Sequence, residues 1–349
     1  MPYYIISKSD GRISIGPGIS TTELREIANL STLSTIQFAE PLSEKELDSL
    51  QEYIFNVRPE TTLRVYGHYS SECDLSFLKK FPSIKGFSAD CLMNAKNVEC
   101  INYLTNLEQL GIGIYKLTSL DFIKENSSNL KQLEIGATFS KKPSLDFLSK
   151  FIGLEDLYIE GQANGINHIT ELKNLQKIVL RSVTVSNLDF LLNSKNLWSV
   201  DIKLGGIKNF SALTKLPHLK FLELWQINKL ADISFISELK ELQNLFIQSL
   251  RNVEALPRLD RNIKLRRIYL ENLKGLKDLI ALKYAPALEE FCYVLAQNQQ
   301  PKDLTPVLEN QNVKKVFVKF GSTTKNNLFD EMALKAGKEQ YKSQKFIYN

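Results

Sequence analysis

The sequence predicts an α/β solenoid, a stack of short parallel strands joined by short helical turns. Three observations predict it. The pattern L-x-x-L-x-L recurs, with clear copies opening at Ile84, Leu107, Leu130, Leu154, Leu175, Leu197, Leu219, Leu242, Leu265 and Leu288, spaced 21 to 24 residues apart. The last four positions of each copy alternate apolar and polar, the period of a half-buried strand. A second apolar series follows at steps of three, as in Phe210, Leu213, Leu216 and Leu219. That spacing suits a short helical or 3₁₀ turn crossing back to a parallel strand.

A solenoid exposes apolar edges at both ends and needs caps there. Residues 1–32 supply the first. "YYIIS" and "RISIG" flank the turn "KSDG", and "STTELREIANL" is a helix opened by Ser20 or Thr21. The repeats span residues 33–320, with weaker copies at Leu33, Glu60 and Val313. In the first repeat a helix in "SEKELDSLQEYIF", from Ser43, replaces the short turn. Later turns are preceded by a polar residue able to cap them: Asp74, Ser119, Ser144, Asn209 and Asp232. Residues 321–349 form the second cap. There "NNLFDEMALKAGKEQY" is a helix with Leu328, Met332 and Ala336 on one face, followed by a basic tail. No linker or low-complexity stretch interrupts the array, so the expectation is one continuous domain.

These motifs resemble the leucine-rich repeat superfamily, in particular the 22-residue type of bacterial internalins and of a eukaryotic phosphatase regulator. The resemblance implies a curved solenoid with its parallel sheet on the concave face and its turns on the convex face. It implies binding rather than any one activity, because one fold hosts many roles. The chain departs from the family at position 9, where an asparagine usually bonds the neighbouring backbone. Here that position reads Tyr115, Thr138, Gln162, Val183, Gly205, Ile227, Leu250 and Leu273. An apolar residue there buries about 1.5–3 kcal/mol, against about 1 kcal/mol net for a hydrogen bond. An apolar spine is therefore expected to replace the amide ladder in the later repeats.

Composition fits a folded chain, with 43% hydrophobic and 24% charged residues. No stretch approaches the roughly 20 apolar residues of a bilayer span, and the start lacks the basic segment of a secretory signal. A cytoplasmic location is the expectation. Cys73, Cys91, Cys100 and Cys292 lack C-x-x-C spacing and read as reduced thiols. The net charge is +5, and residues 314–349 hold eight lysines against Asp330, Glu331 and Glu339, so the rest of the chain is balanced.

That balance disfavours a nucleic-acid-binding body, and the basic stretch "RLDRNIKLRR" from Arg258 reads as solvated surface. The three histidines, His68, His168 and His218, are scattered, and neither a phosphate-binding glycine loop nor a G-x-S-x-G elbow occurs. No metal, cofactor or catalytic residue is assigned. Family members with a ubiquitin-ligase domain carry it after the repeats, and too few residues follow here. A non-enzymatic chain is expected.

Function is expected on the outward-facing strand positions 3, 5 and 7. These bring Phe221, Trp225, Phe246 and Tyr269 to neighbouring strands. Arg181 and Lys203 lie on the N-terminal side, and Glu134, Asp156 and Glu160 beyond them, with Tyr158, Glu223 and Arg267 on the same face. Rings ringed by charges make a protein-binding hot spot; alternatively the rings pack on one another and only cover the sheet. The expected role is a protein-interaction module acting through the concave face. Lysine, asparagine and isoleucine are frequent, as in an AT-rich bacterial genome, where such a binder neutralises a toxin as an immunity protein does. The alternative is an effector or regulatory subunit of a cellular or host enzyme, such as a phosphatase or GTPase. Partner identity and oligomeric state are not legible in the sequence.

Overall fold

The computed structural model describes residues 3–7, 9–67, 72–125, 129–140 and 143–349; His68, singled out above, lies outside them. The chain divides into two compact units, Met1–Asn174 and Leu175–Asn349.

In unit 1, β1 (Tyr3–Ser7) and β2 (Arg12–Ile15) form an antiparallel hairpin. From β2 onward every pairing is parallel: β3 (Thr35–Phe38), β4 (Thr62–Tyr66), β5 (Gly86–Leu92), β6 (Gln109–Ile114), β7 (Gln132–Ile135) and β8 (Asp156–Glu160) follow in chain order. Unit 2 repeats the pattern with β9 (Lys177–Arg181), β10 (Ser199–Lys203), β11 (Phe221–Trp225), β12 (Asn244–Gln248), β13 (Arg267–Glu271), β14 (Glu290–Val294), β15 (Lys315–Val318) and β16 (Glu339–Gln340). Each sequence copy yields a strand opening at its position 3, the weak copies at Leu33, Glu60 and Val313 included.

The alternation sets the packing. Positions 4 and 6 point inward, so Leu63, Val65, Ile178 and Leu180 are buried. The turn residues Leu148, Ile169, Leu191 and Leu213 are likewise without exposure. Ahead of the turns the expected polar residues accept backbone N–H groups. Asp74 takes Ser76 (2.9 Å), Ser119 takes Asp121 (3.0 Å), Ser144 takes Asp146 (3.3 Å), Asn209 takes Ser211 (2.8 Å) and Asp232 takes Ser234 (2.8 Å).

Position 8 turns the chain out of the strand. Ser182, Leu204, Gln226, Ser249, Asn272 and Leu295 all have φ between 48° and 58°, a left-handed conformation that costs a residue with a Cβ about 1–2 kcal/mol. In the first five it aims the N–H group at the next strand, as Ser182 to the Lys203 carbonyl (2.7 Å). Position 9 then drops inward. Val183, Ile227, Leu250 and Leu273 are buried there, which is the expected apolar spine. Thr138 and Gln162 are buried at the same position and bonded to each other at 2.8 Å, a polar remnant in unit 1. At Gly205 a Cβ would stand 2.1 Å from the Val183 carbonyl oxygen.

The caps form as the sequence implies, with one correction. Helix α1 (Thr21–Ala28) opens on Ser20 and α2 (Glu44–Leu50) on Ser43, each with a reciprocal Ser–Glu capping box. A short α3 (Thr305–Glu309) precedes β15. The C-terminal helix α4 (Thr323–Lys335) buries Phe329 and Ala333, while Leu328 is half exposed and Ala336 exposed. Its inward face is therefore one residue later than expected, because the larger ring of Phe329 seats edge-on against Phe320 (5.9 Å). Among the described residues no helix is long and apolar enough to cross a membrane.

Candidate functional site

The strand faces of the two units differ, and each follows from its residues at positions 5 and 7. In unit 1 the position-5 row reads Gln37, Arg64, Ser88, Gly111, Glu134 and Tyr158 on successive paired strands. Position 7 adds Asp90, Gly113, Gly136 and Glu160. Three of these residues have no side chain, so the face sinks into a hollow of about 560 Å³. Gly111, Gly113 and Gly136 floor it, and Met93, Tyr115, Tyr158 and Cys91 help line it. The glycines also let the backbone close up: a Cβ on Gly136 would lie 3.0 Å from the Gly113 Cα.

One wall of the hollow is electrostatically complete. Arg64 Nε donates to Asp90 Oδ2 (2.8 Å), its Nη2 to Asp90 Oδ1, and its Nη1 to Gln37 Oε1 (2.6 Å). Ser88 Oγ also donates to Asp90 (2.8 Å). Burial alone would raise the Asp90 pKa, but the guanidinium and hydroxyl together hold it below the ordinary carboxylate range. The opposite wall is different. Glu134 is flanked by Gly111 and Tyr158, and among the described residues no hydrogen bond or ion pair reaches its carboxylate. Its carboxylate stays exposed at the mouth of the hollow, but partial desolvation by the surrounding walls, and next the charge of Asp90, push its pKa up. Tyr158 donates instead to Glu160 (3.2 Å).

In unit 2 the register places the expected columns side by side: Phe221 opposite Asn244 and Asn244 opposite Arg267, Glu223 opposite Phe246 and Phe246 opposite Tyr269, and Lys203 opposite Trp225. The rings do not gather into one open patch. Phe246 and Tyr269 meet edge-on (5.0 Å), and the Arg181 guanidinium lies over Trp225 (5.4 Å). All four rings are half-buried. Lys203 bridges the carboxylates of Asp201 (3.5 Å) and Glu223 (3.1 Å). Arg267 is buried against Glu290 (2.6 Å). Phe221 instead turns to Tyr348, 6.5 Å away in the tail.

Sequence reasoning missed two features. The "GIG" of residues 111–113, with Gly136, removes side chains where other repeats carry large ones, and that signal was readable. The seating of the tail was less so, because half its contacts fall at position 2, on Trp198, Lys220, Gln243 and Arg266, just ahead of the position-3 residues Phe221, Asn244, Arg267 and Glu290 that it also touches.

Neither a protein-family model nor a curated protein sequence matches the chain. Solved structures do resemble it. An internalin (InlF) of Listeria monocytogenes superposes with a TM-score of 0.58 at 15% identity, over 90% of this chain and 88% of that one. A leucine-rich repeat protein of Leptospira interrogans gives 0.52 at 16%, over 90% and 91%. TLR13, solved with ssRNA13, gives 0.52 at 16%, over 86% of this chain and 45% of its own. At such identities the likeness is one of architecture. Its long run of parallel strands and short turns, repeated in register, gives this chain the leucine-rich repeat fold.

Proposed function

We propose that the chain is a non-catalytic binding module that holds a protein partner on its outward strand face, with the unit 1 hollow receiving a lysine or arginine side chain of that partner. The observation that carries this reading is Glu134. It is a carboxylate without a partner, in a glycine-floored hollow, beside an Arg64–Asp90 pair that is already satisfied. An entering cation would meet Glu134 and the faces of Tyr115 and Tyr158, which attract cations. A polyanion fits this face poorly, because Glu134 and Glu160 would repel it; the RNA in the TLR13 structure is a property of that protein.

The finer role we favour is neutralisation of a toxin by covering it. The alternative is regulation of a cellular or host enzyme, which a change in that enzyme's rate on adding pure protein would distinguish. The binding reading is tested by capturing partners from the native organism with tagged wild type and with Glu134→Arg, both checked for folding by circular dichroism. A partner held by the wild type should lose about 100-fold in affinity for the variant, the scale of a charge pair that binding buries and the substitution turns repulsive. Equal retention by both proteins contradicts the hollow as the anchor.

A further inference from the structure

The last nine residues, "YKSQKFIYN", carry no regular secondary structure, yet they follow one defined course across unit 2. Tyr341 N donates to the Val316 carbonyl on β15 (3.0 Å). The Gln344 amide then donates to Glu290 on β14 (2.9 Å), and Arg267 on β13 reaches the Gln344 carbonyl (3.3 Å). Arg266 donates to the Ile347 carbonyl. Asn244 on β12 donates to the Tyr348 hydroxyl (3.2 Å), and Lys220, ahead of β11, reaches the Asn349 carbonyl (2.7 Å). Tyr348 finally stacks at a tilt on Trp198, the residue before β10 (5.0 Å). From β15 to β10 is five strand steps, about 24 Å, and the seven residue steps from Tyr341 to Tyr348 reach about 23 Å when extended. The segment runs nearly straight across the strand ends.

Two kinds of contact hold it. The guanidiniums of Arg266 (4.7 Å) and Arg267 (4.8 Å) lie over the Phe346 ring, while Tyr348 sits among Trp198, Phe221 and Phe346. Arg267 also lies over the Tyr341 ring (5.2 Å). The remaining contacts are hydrogen bonds, most of them to the segment's main chain, with side-chain bonds from Gln344 to Glu290 and from Asn244 to the Tyr348 hydroxyl. The lysines that make the tail basic, Lys342 and Lys345, are exposed, and so are Ser343, Gln344, Ile347 and Asn349. Beyond Tyr341, which stays beside β15, the groove holds two rings spaced i, i+2 on an extended backbone, and none of these contacts involves the tail's lysines.

We propose that this strip of unit 2 is a docking groove for an extended peptide of aromatic-x-aromatic pattern, and that the chain's own 341–349 segment is its resident occupant, displaced by a partner segment of the same chemistry. The proposal stands apart from the unit 1 hollow and does not depend on it. A tethered occupant competes at the high effective concentration of an intramolecular ligand, so weakening the occupant should open the groove to a free peptide.

The test uses a fluorescein-labelled nonapeptide with the sequence of residues 341–349, titrated by anisotropy into the full chain and into its Phe346→Ala/Tyr348→Ala variant. The variant should bind the peptide at least about tenfold more tightly than the wild type, because it has lost the tethered competitor. A peptide with alanine at both ring positions should bind neither. Tyr348→Ala alone should show an intermediate gain, and it takes the place of the double variant should circular dichroism find that one unfolded. Equal affinity for variant and wild type, or no binding to a folded variant, overturns the proposal and leaves the segment a fixed part of the C-terminal cap.

Discussion

Asp201 shows how one outward position in a strand acquires its own chemistry. Its Oδ1 is buried without a hydrogen-bond partner, and Lys203 is shared with Glu223. Burial and then the Glu223 carboxylate push the Asp201 pKa up to about 7, from about 4 in an unfolded chain. Between those values the folded protein holds a proton that the unfolded chain has released. Stability contributed by this group therefore falls as pH rises through the window. Asp201→Asn should come close to the wild type in Tm at about pH 3.5, below the unfolded pKa, and exceed it at about pH 7.5, measured by thermal melts; the same difference at both pH values would contradict the assignment. The alternation of the strands made the outward position of Asp201 legible, but its lost bond depends on which residues the two adjacent repeats supply. The same holds for Asn262. It is buried and donates to the Ile236 and Leu239 carbonyls (2.9 and 3.0 Å), taking on the turn side the bridging role that position 9 gave up.

At the scale of elements, strands and caps were legible because each rests on local chemistry. Period-two apolar residues, a serine three before a glutamate, and an aspartate two before a turn N–H need no distant partner. The inward face of α4 was not. Its sequence offers Leu328, Met332 and Ala336 at four-residue steps, and Phe329 with Ala333 at the same spacing, so periodicity alone does not choose between them. The choice falls to Phe320, against which the Phe329 ring fits. Phe329→Ala should cost about 3–5 kcal/mol in urea unfolding, the usual penalty for emptying a buried aromatic site. Leu328→Ala, on the half-exposed side, should stay within about 0.5 kcal/mol. The opposite order would restore the face that the sequence first suggests.

For the whole molecule, the repeat register was plain in the leucines, since each strand must place positions 4 and 6 in the core to exist at all. What each strand face offers was only half plain. Glu134, Tyr158 and Glu160 were singled out for their outward positions, but the hollow they share is made by residues that lack side chains. The rings of unit 2 were expected either as a binding patch or as rings packed on one another; two pair with each other, one with an arginine and one with the tail. Two faces built on the same repeat therefore differ in kind: unit 1 keeps an unpaired carboxylate in an open hollow, and unit 2 already carries an occupant along its strand ends. The central claim is that partners bind this strand side and not the turns. It is tested most directly by placing a photo-crosslinking amino acid at Tyr115, on the hollow, or at Tyr284, exposed on a turn of unit 2, and irradiating each protein in native extract. The account predicts a discrete protein adduct from position 115 and none from position 284. An adduct from position 284 alone would move the binding surface to the turn side and contradict it.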